Sequence, residues 1–145
     1  MTQSVLDRLT AVEDWPATRS QSLRFYKDAL KRDLEWLLNT RQPPLPEIAD
    51  YPLAKASVIN YGLPDITSLG LASASDHRRL RVAIEACLTN FEPRLTDVQV
   101  TLQGADTIDR RLRFHIEGNM KLDPAPEEIS FDTVLELSSG EYKVK

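Results

Sequence analysis

The spacing of apolar residues changes at Glu92-Pro93, and that change constrains the fold more than any other feature of the chain. Before it, apolar residues recur every three or four positions, as on one face of a helix. After it they recur every second position, as on one face of a strand. Val98, Val100 and Leu102 alternate with polar neighbours, and so do Leu112, Phe114, Ile116, Met120 and Leu122. Ile129, Phe131, Thr133, Leu135 and Leu137 continue the pattern, followed by Tyr142 and Val144. Alternation of this kind belongs to antiparallel strands with one buried and one wet face. Links at residues 104–109, 123–126 and 138–140 divide the run into four strands, the last link short enough for a hairpin. The order predicts an α+β fold, N-terminal helices packed on a C-terminal, mainly antiparallel four-stranded sheet. A length of 145 residues leaves room for one domain, expected over residues 23–145, after an N-terminal arm or short helix over residues 1–22.

In the helical half, residues 4–9 read as a short helix. Residues 22–39 read as a longer one with a stripe of Leu23, Tyr26, Ala29, Leu30, Leu34, Leu37 and Leu38. Arg24, Lys27, Asp28, Lys31, Arg32 and Glu35 occupy the opposite face. Asn39-Thr40 ends this helix, and Pro43, Pro44 and Pro46 prevent a restart. Residues 41–52 read as a stiff proline loop and residues 53–61 as about two helical turns. Gly62 suits the left-handed position after them, and Pro64 blocks continuation. Residues 66–75 suit an irregular connection. A third helix is expected from an N-cap at Ser75, with Asp76 in its first turn. It buries Leu80, Ala83, Ile84, Cys87, Leu88 and Phe91, and it stops before Pro93.

Composition excludes several functions. A net charge of -4 and a pI near 5.2 argue against non-specific nucleic-acid binding and against polybasic attraction to a membrane surface. No apolar run approaches the roughly 20 residues of a spanning helix, and the first eight residues show no secretory signal, so direct membrane insertion is not expected. Cys87 is alone and forms no internal disulfide, which fits a reducing, cytosolic setting. Two histidines and one cysteine fall short of the four ligands of a structural zinc site, and no other cofactor is implied. His115 reads as part of a solvated strand face, His77 as a solubilising residue at a helix start, and Cys87 as a buried inert thiol. Nucleophile-elbow, phosphate-loop and zinc-protease motifs are missing from the sequence. Glu92, Asp65, Asp132 and Glu136 are the carboxyls a glycosidase reading would use. Among 22 acidic residues such a choice has little weight.

Three other features stand apart from core building. Pro93 holds Glu92 and Arg94 in an i,i+2 relation that, in extended backbone, puts a carboxylate and a guanidinium fork on one side of a rigid corner. The plainer account, two charges that find partners within the chain, stands ahead of a binding role on these residues alone. Arg78, Arg79 and Arg81 crowd a helix start, where cations oppose the dipole. They could meet an acidic partner, or form a solvated face relieved by Asp76 and Glu85. Tyr142, Lys143 and Val144 end the chain on an expected sheet edge, where outward Glu141 and Lys143 discourage promiscuous pairing. The backbone could accept an added strand, but on these residues alone the plainer account, a strand that merely closes the domain, stands ahead.

Four segments carry a resemblance. Residues 31–41 (KRDLEWLLNTR) resemble the RDLExLLNTR helix of TssE proteins, and residues 57–65 (SVINYGLPD) resemble that family's SVLNYGLPD segment. Phe91-Glu92-Pro93-Arg94-Leu95 is similar to its Glu-Pro-Arg motif, and Phe131-Asp132-Thr133 to a late strand. In order and spacing the likeness spans residues 23–144. The TssE family supplies the type VI secretion baseplate and is related to the lysozyme-like wedge protein of contractile phage tails. The resemblance implies a structural rather than enzymatic protein, cytoplasmic, at a baseplate on the inner membrane of a Gram-negative cell. It implies partners among the wedge subunits TssF, TssG and TssK and the sheath subunits TssB and TssC, with Glu92, Pro93 and Arg94 serving assembly. Asn60, Tyr61, Gly62, Pro64 and Asp65 match family positions that a structural turn also explains. A peptidoglycan hydrolase is the rival expectation, and an adaptor unrelated to secretion a third.

Overall fold

Helix α1 (Arg19–Asn39) begins three residues earlier than its apolar stripe suggests, because the start is set by polar chemistry. Thr18, in extended conformation, accepts a hydrogen bond from the Gln21 backbone N–H, and the Gln21 side chain accepts from the Thr18 N–H. This reciprocal capping box satisfies two donors that a bare helix end leaves open. The computed structural model describes residues 9–10, 18–65, 73–106, 108 and 110–145. All but residue 9 of the short helix expected over residues 4–9, and most of the expected 66–75 connection, lie outside that set.

Beyond α1 the proline-rich stretch is more ordered than a loop, with a 3-10 turn over Pro46–Asp50. The two helical turns expected next are divided into a four-residue helix α2 (Pro52–Lys55) and a 3-10 turn, Val58–Asn60. Ser57 causes the break: its backbone is extended, and its hydroxyl accepts from the Ile59 N–H while donating to the Ala54 carbonyl. Gly62 has φ +104, and a Cβ there would sit 2.4 Å from the Thr40 carbonyl oxygen, so only glycine fits. That close approach lets the Leu63 N–H bond Thr40 and fastens the segment to the end of α1.

Helix α3 (Ala74–Phe91) is capped by Ser73 rather than Ser75. The Ser73 hydroxyl accepts from the Asp76 N–H, whereas Ser75 already lies in the helix and bonds the Ser73 hydroxyl. The chain then forms β1 (Leu95–Asp106), β2 (Arg111–Met120), β3 (Glu127–Glu136) and β4 (Glu141–Val144). They make an antiparallel meander in the order β1-β2-β3-β4. Strand β1 absorbs part of the expected 104–109 link, with register shifts between Thr96/Gln99 and Leu102/Gly104. One face of the sheet, including Val100, Phe114, Ile116, Leu135 and Tyr142, joins Leu30, Leu34 and Leu38 of α1 and Leu80, Ile84 and Leu88 of α3 in a single core. The fold is the expected α+β arrangement.

Candidate functional site

The corner between α3 and β1 is where helix and sheet exchange directions. Glu92 caps α3, its N–H bonded to the Leu88 carbonyl. Its own carbonyl accepts from the Leu95 N–H, so residues 92–95 form a turn rather than the extended backbone expected. Glu92 and Arg94 do face each other, but through that turn. Arg94 Nε lies 2.7 Å from Glu92 Oε1 and Nη2 lies 2.5 Å from Oε2, a bidentate fork. The Arg94 backbone N–H also donates to Glu92 Oε1. Arg94 Nη2 reaches Asp33 Oδ2 of α1 at 2.8 Å, so one guanidinium joins α1, α3 and β1. Its plane lies over the Tyr26 ring, 5.8 Å from the centroid.

Glu92 is 4% exposed, and among the described residues no other charged side chain is buried. Burial works against the charge on Arg94, but the hydrogen bonds and charges of Glu92 and Asp33 outweigh it and raise the pKa above its usual range. The charges of the corner are therefore mutually satisfied, as the plainer sequence account held. Beside them lies a shallow hollow of about 340 Å³, walled by Trp36, Tyr61, Phe91 and Pro93. Trp36 is 52% exposed, with the Arg32 guanidinium 5.0 Å from its ring centroid. Tyr61 and Phe91 meet edge to face at 5.3 Å. Burial, before any neighbouring charge, raises the Tyr61 pKa.

The other expected residues do not join this corner. Arg79 approaches Asp76 at 3.9 Å and Arg81 approaches Glu85 at 3.3 Å, while Arg78 is exposed. Thirteen helical positions separate Arg78 from Phe91, about 20 Å along α3. Tyr142, Lys143 and Val144 do lie on the edge strand. Its outward groups are engaged: the Tyr142 N–H donates to Asn39 Oδ1 at 2.8 Å, and its carbonyl accepts from Asn39 Nδ2 at 2.9 Å. The Val144 N–H donates to Glu35 Oε2. The Lys143 N–H alternates toward β3, as Lys145 does in bonding Asp132. The opposite edge is treated alike, with the Val100 N–H donating to Glu85 of α3. Glu35 thus serves the sheet rather than a purely solvated helix face.

His115 lies outward as expected, bonded to Asp132 at 2.7 Å and Glu117 at 3.2 Å. His77 departs from expectation: it is half-buried, and its Nε2 is fully enclosed without a partner among the described residues, so it is not simply a solubilising group. Cys87 is buried, donates to the Gly62 carbonyl and has its pKa pushed up to about 12 by desolvation. Of the glycosidase carboxyls, Glu92 is held in the corner by Arg94, while Asp132 and Glu136 lie on β3. Asp132 and Glu136 are four strand positions apart, about 13 Å, beyond the spacing such an enzyme uses. Glu92 and Asp33 are close, and both bond the Arg94 guanidinium. Among the described residues no cluster of three or more His, Cys, Asp and Glu side chains could hold a metal ion. No helix there is long and apolar enough to cross a membrane.

Asp33, Trp36, Asn39 and Glu35 escaped sequence reasoning as site residues. Asp33 carried a usable signal, a carboxylate beside the buried positions Leu30, Leu34 and Leu37. The pairing of Asn39 with a strand about a hundred positions away carried none.

No curated protein sequence matches the chain. Among solved structures, one described as "The baseplate complex from the type VI secretion system" is similar at 18% identity. It covers 79% of this chain and 97% of that chain with a TM-score of 0.52, a likeness of fold. The sequence profile of the family described as "Baseplate wedge protein gp25" matches residues 25–125, from α1 through the corner and into the link after β2. That match spans well over half of the sequence, and the chain belongs to the baseplate wedge protein gp25 family.

Proposed function

We propose that this chain is the TssE-type wedge subunit of a type VI secretion baseplate, a cytoplasmic structural protein without catalytic activity. Its expected partners are TssF, TssG and TssK in the wedge and TssB and TssC in the sheath. The observation that carries the reading is the α3–β1 corner. Its charged groups satisfy one another while aromatic and proline surfaces beside them face solvent, an arrangement suited to gripping a protein rather than turning over a substrate. The sheath-facing element in this reading is the β4 edge, Tyr142 to Val144, where an incoming strand would take the backbone groups now held by Asn39 and Glu35.

The test separates binding from stability. Arg94→Ala leaves Glu92 buried without its partner and is expected to destabilise the fold by about 3–5 kcal/mol, so lost assembly in that variant is ambiguous. Trp36→Ala removes an exposed ring and is expected to melt near the wild-type temperature. Its affinity for a TssF–TssG complex should fall by about 2 kcal/mol, roughly 30-fold, if the ring is a central anchor. Wild-type affinity in Trp36→Ala would remove the hollow from the binding surface. Peptidoglycan turnover by the pure protein, abolished by one carboxyl substitution, would return the hydrolase reading.

A further inference from the structure

Both long helices pack on the face of the sheet that carries Phe114, Ile116 and Leu135. On the opposite face Arg113, Glu117, Asp132 and Lys143 stay exposed, and the charges are sorted along the strands. Near the α3–β1 corner this outer face is acidic, with Asp97, Glu117 and Glu128 around Gly118. Leb95 pairs with Met120 at that end, and seven positions along β2 from Met120, about 24 Å of strand, the face turns basic. There a shallow hollow of about 430 Å³ has Arg111, Arg113, Lys143 and Lys145 against two carboxylates, Asp132 and Glu136. A local excess of cations runs against the net charge of -4. The register makes the patch continuous. Val134 pairs with Arg113 of β2 on one side and with Lys143 of β4 on the other, so the three form one row across the sheet. Each stands between two buried neighbours of its own strand, so all three point the same way, outward. Lys145 lies one step away, its N–H bonded to the Asp132 carbonyl. Both carboxylates are already engaged, Asp132 with His115 at 2.7 Å and Glu136 with Arg111 at 3.1 Å. Arg113, Lys143 and Lys145 have no side-chain partner among the described residues. Their mutual repulsion is left for an outside charge to relieve.

We propose that this row docks a short acidic segment of another protein, with carboxylates on either side of an apolar side chain. The inference goes beyond the baseplate reading and does not rest on it, since it uses the outer sheet face rather than the corner or the β4 edge. Two observations select the occupant. Arg113 and Lys143 stand two strand spacings apart, about 10 Å, with half-buried Val134 between them. The row thus offers two separate cationic seats and an apolar one, not a single cradle for a small anion. The acidic half of the same face decides the rest. A nucleic-acid backbone or an anionic lipid surface would lie over Asp97, Glu117 and Glu128 as well, and they repel it. A segment short enough to stay on the basic half escapes that repulsion and is confined there by it. Exposed ion pairs contribute little singly, so the row supplies encounter and register more than affinity.

The experiment follows the amide NMR spectrum of the full chain at low salt while the capped peptide GESLSEG is added, with GKSLSKG as control. In extended form the first peptide sets two carboxylates and a leucine on one face. Saturable shifts are expected at Arg113, Val134, Lys143 and Lys145 with the acidic peptide and none there with the basic one. Arg113→Glu/Lys143→Glu should weaken binding at least ~10-fold and melt as the wild type does, since both side chains are exposed. Arg113→Gln/Lys143→Gln should lose less, and it serves as the test if the reversal disturbs folding. Added salt should weaken wild-type binding. Absent shifts, or equal affinity in the charge variants, overturn the inference. Shifts centred on Asn39 and Tyr142 overturn it in favour of pairing at the β4 edge. Inorganic phosphate giving the same shifts at the same affinity overturns it in favour of a small anion. A single-stranded oligonucleotide or phosphatidylglycerol vesicles bound by the wild type and not by the reversed variant overturn it in favour of those ligands. A wild-type dimer in light scattering that the reversal abolishes overturns it in favour of a second copy. None of these outcomes bears on TssF–TssG binding, which tests the baseplate reading separately.

Discussion

Arg94 shows how one side chain can serve three elements. Its fork needs Glu92 for two hydrogen bonds and Asp33 for another, a geometry that a lysine ammonium cannot reproduce. His115 offers a different residue-scale handle. Its hydrogen bond to Asp132, with the charges of Asp132 and Glu117, outweighs desolvation and raises its pKa above 6.5. A raised folded-state pKa means that the protonated ring stabilises the fold fully below the unfolded value of about 6.5. That contribution is lost as pH rises through the higher folded value. The melting temperature of the wild type should therefore exceed that of His115→Gln most below pH 6.5, with the gap closing as pH rises. A gap that stays constant across that range would show that the two carboxylates do not favour the charged ring. Outward placement of His115 followed from strand alternation, but its partner Asp132 depended on the register His115↔Asp132, which sequence periodicity does not set.

At the scale of elements, α1 does more than bury a stripe. Asp33 goes to the corner, while Glu35 and Asn39, one turn apart, close the β4 edge. Covering an edge is a recognised way to keep a sheet from unscheduled pairing. Asn39→Ala removes both hydrogen bonds to Tyr142 and is expected to cost about 1–3 kcal/mol, since an enclosed backbone N–H loses its acceptor. Amide exchange should accelerate most at Tyr142 and less at Val144, whose acceptor Glu35 remains. Uniform acceleration across β4 would instead mean that the strand opens as a unit. The strand itself was legible from Tyr142 and Val144, both buried, because alternation is a local signal. The plug was not, because a polar residue at a helix end gives equally good sense as a solvated terminus.

For the whole molecule, Cys87 reports on global cooperativity. It is 5% exposed within the single core, and desolvation suppresses its thiolate at neutral pH. Labelling by a thiol-specific disulfide reagent should be at least about 1,000-fold slower than for an unfolded control, as expected if access requires opening of a domain with ordinary stability. Fast labelling in native buffer would reveal local opening between α3 and the Gly62 segment. The amino-acid sequence by itself determined the order of elements, the face each presents inward and the stop at Pro93, because periodicity, capping and proline geometry act over a few neighbouring residues. It also placed Glu92 and Arg94 side by side. Only tertiary structure decided that their charges are satisfied by each other and Asp33, that the β4 edge is covered by α1, and that residues 45–59 keep their apolar side chains outside. Those outcomes depend on which surfaces meet after the core has closed, and no spacing along the chain encodes which polar group will stand opposite another across sixty or a hundred positions.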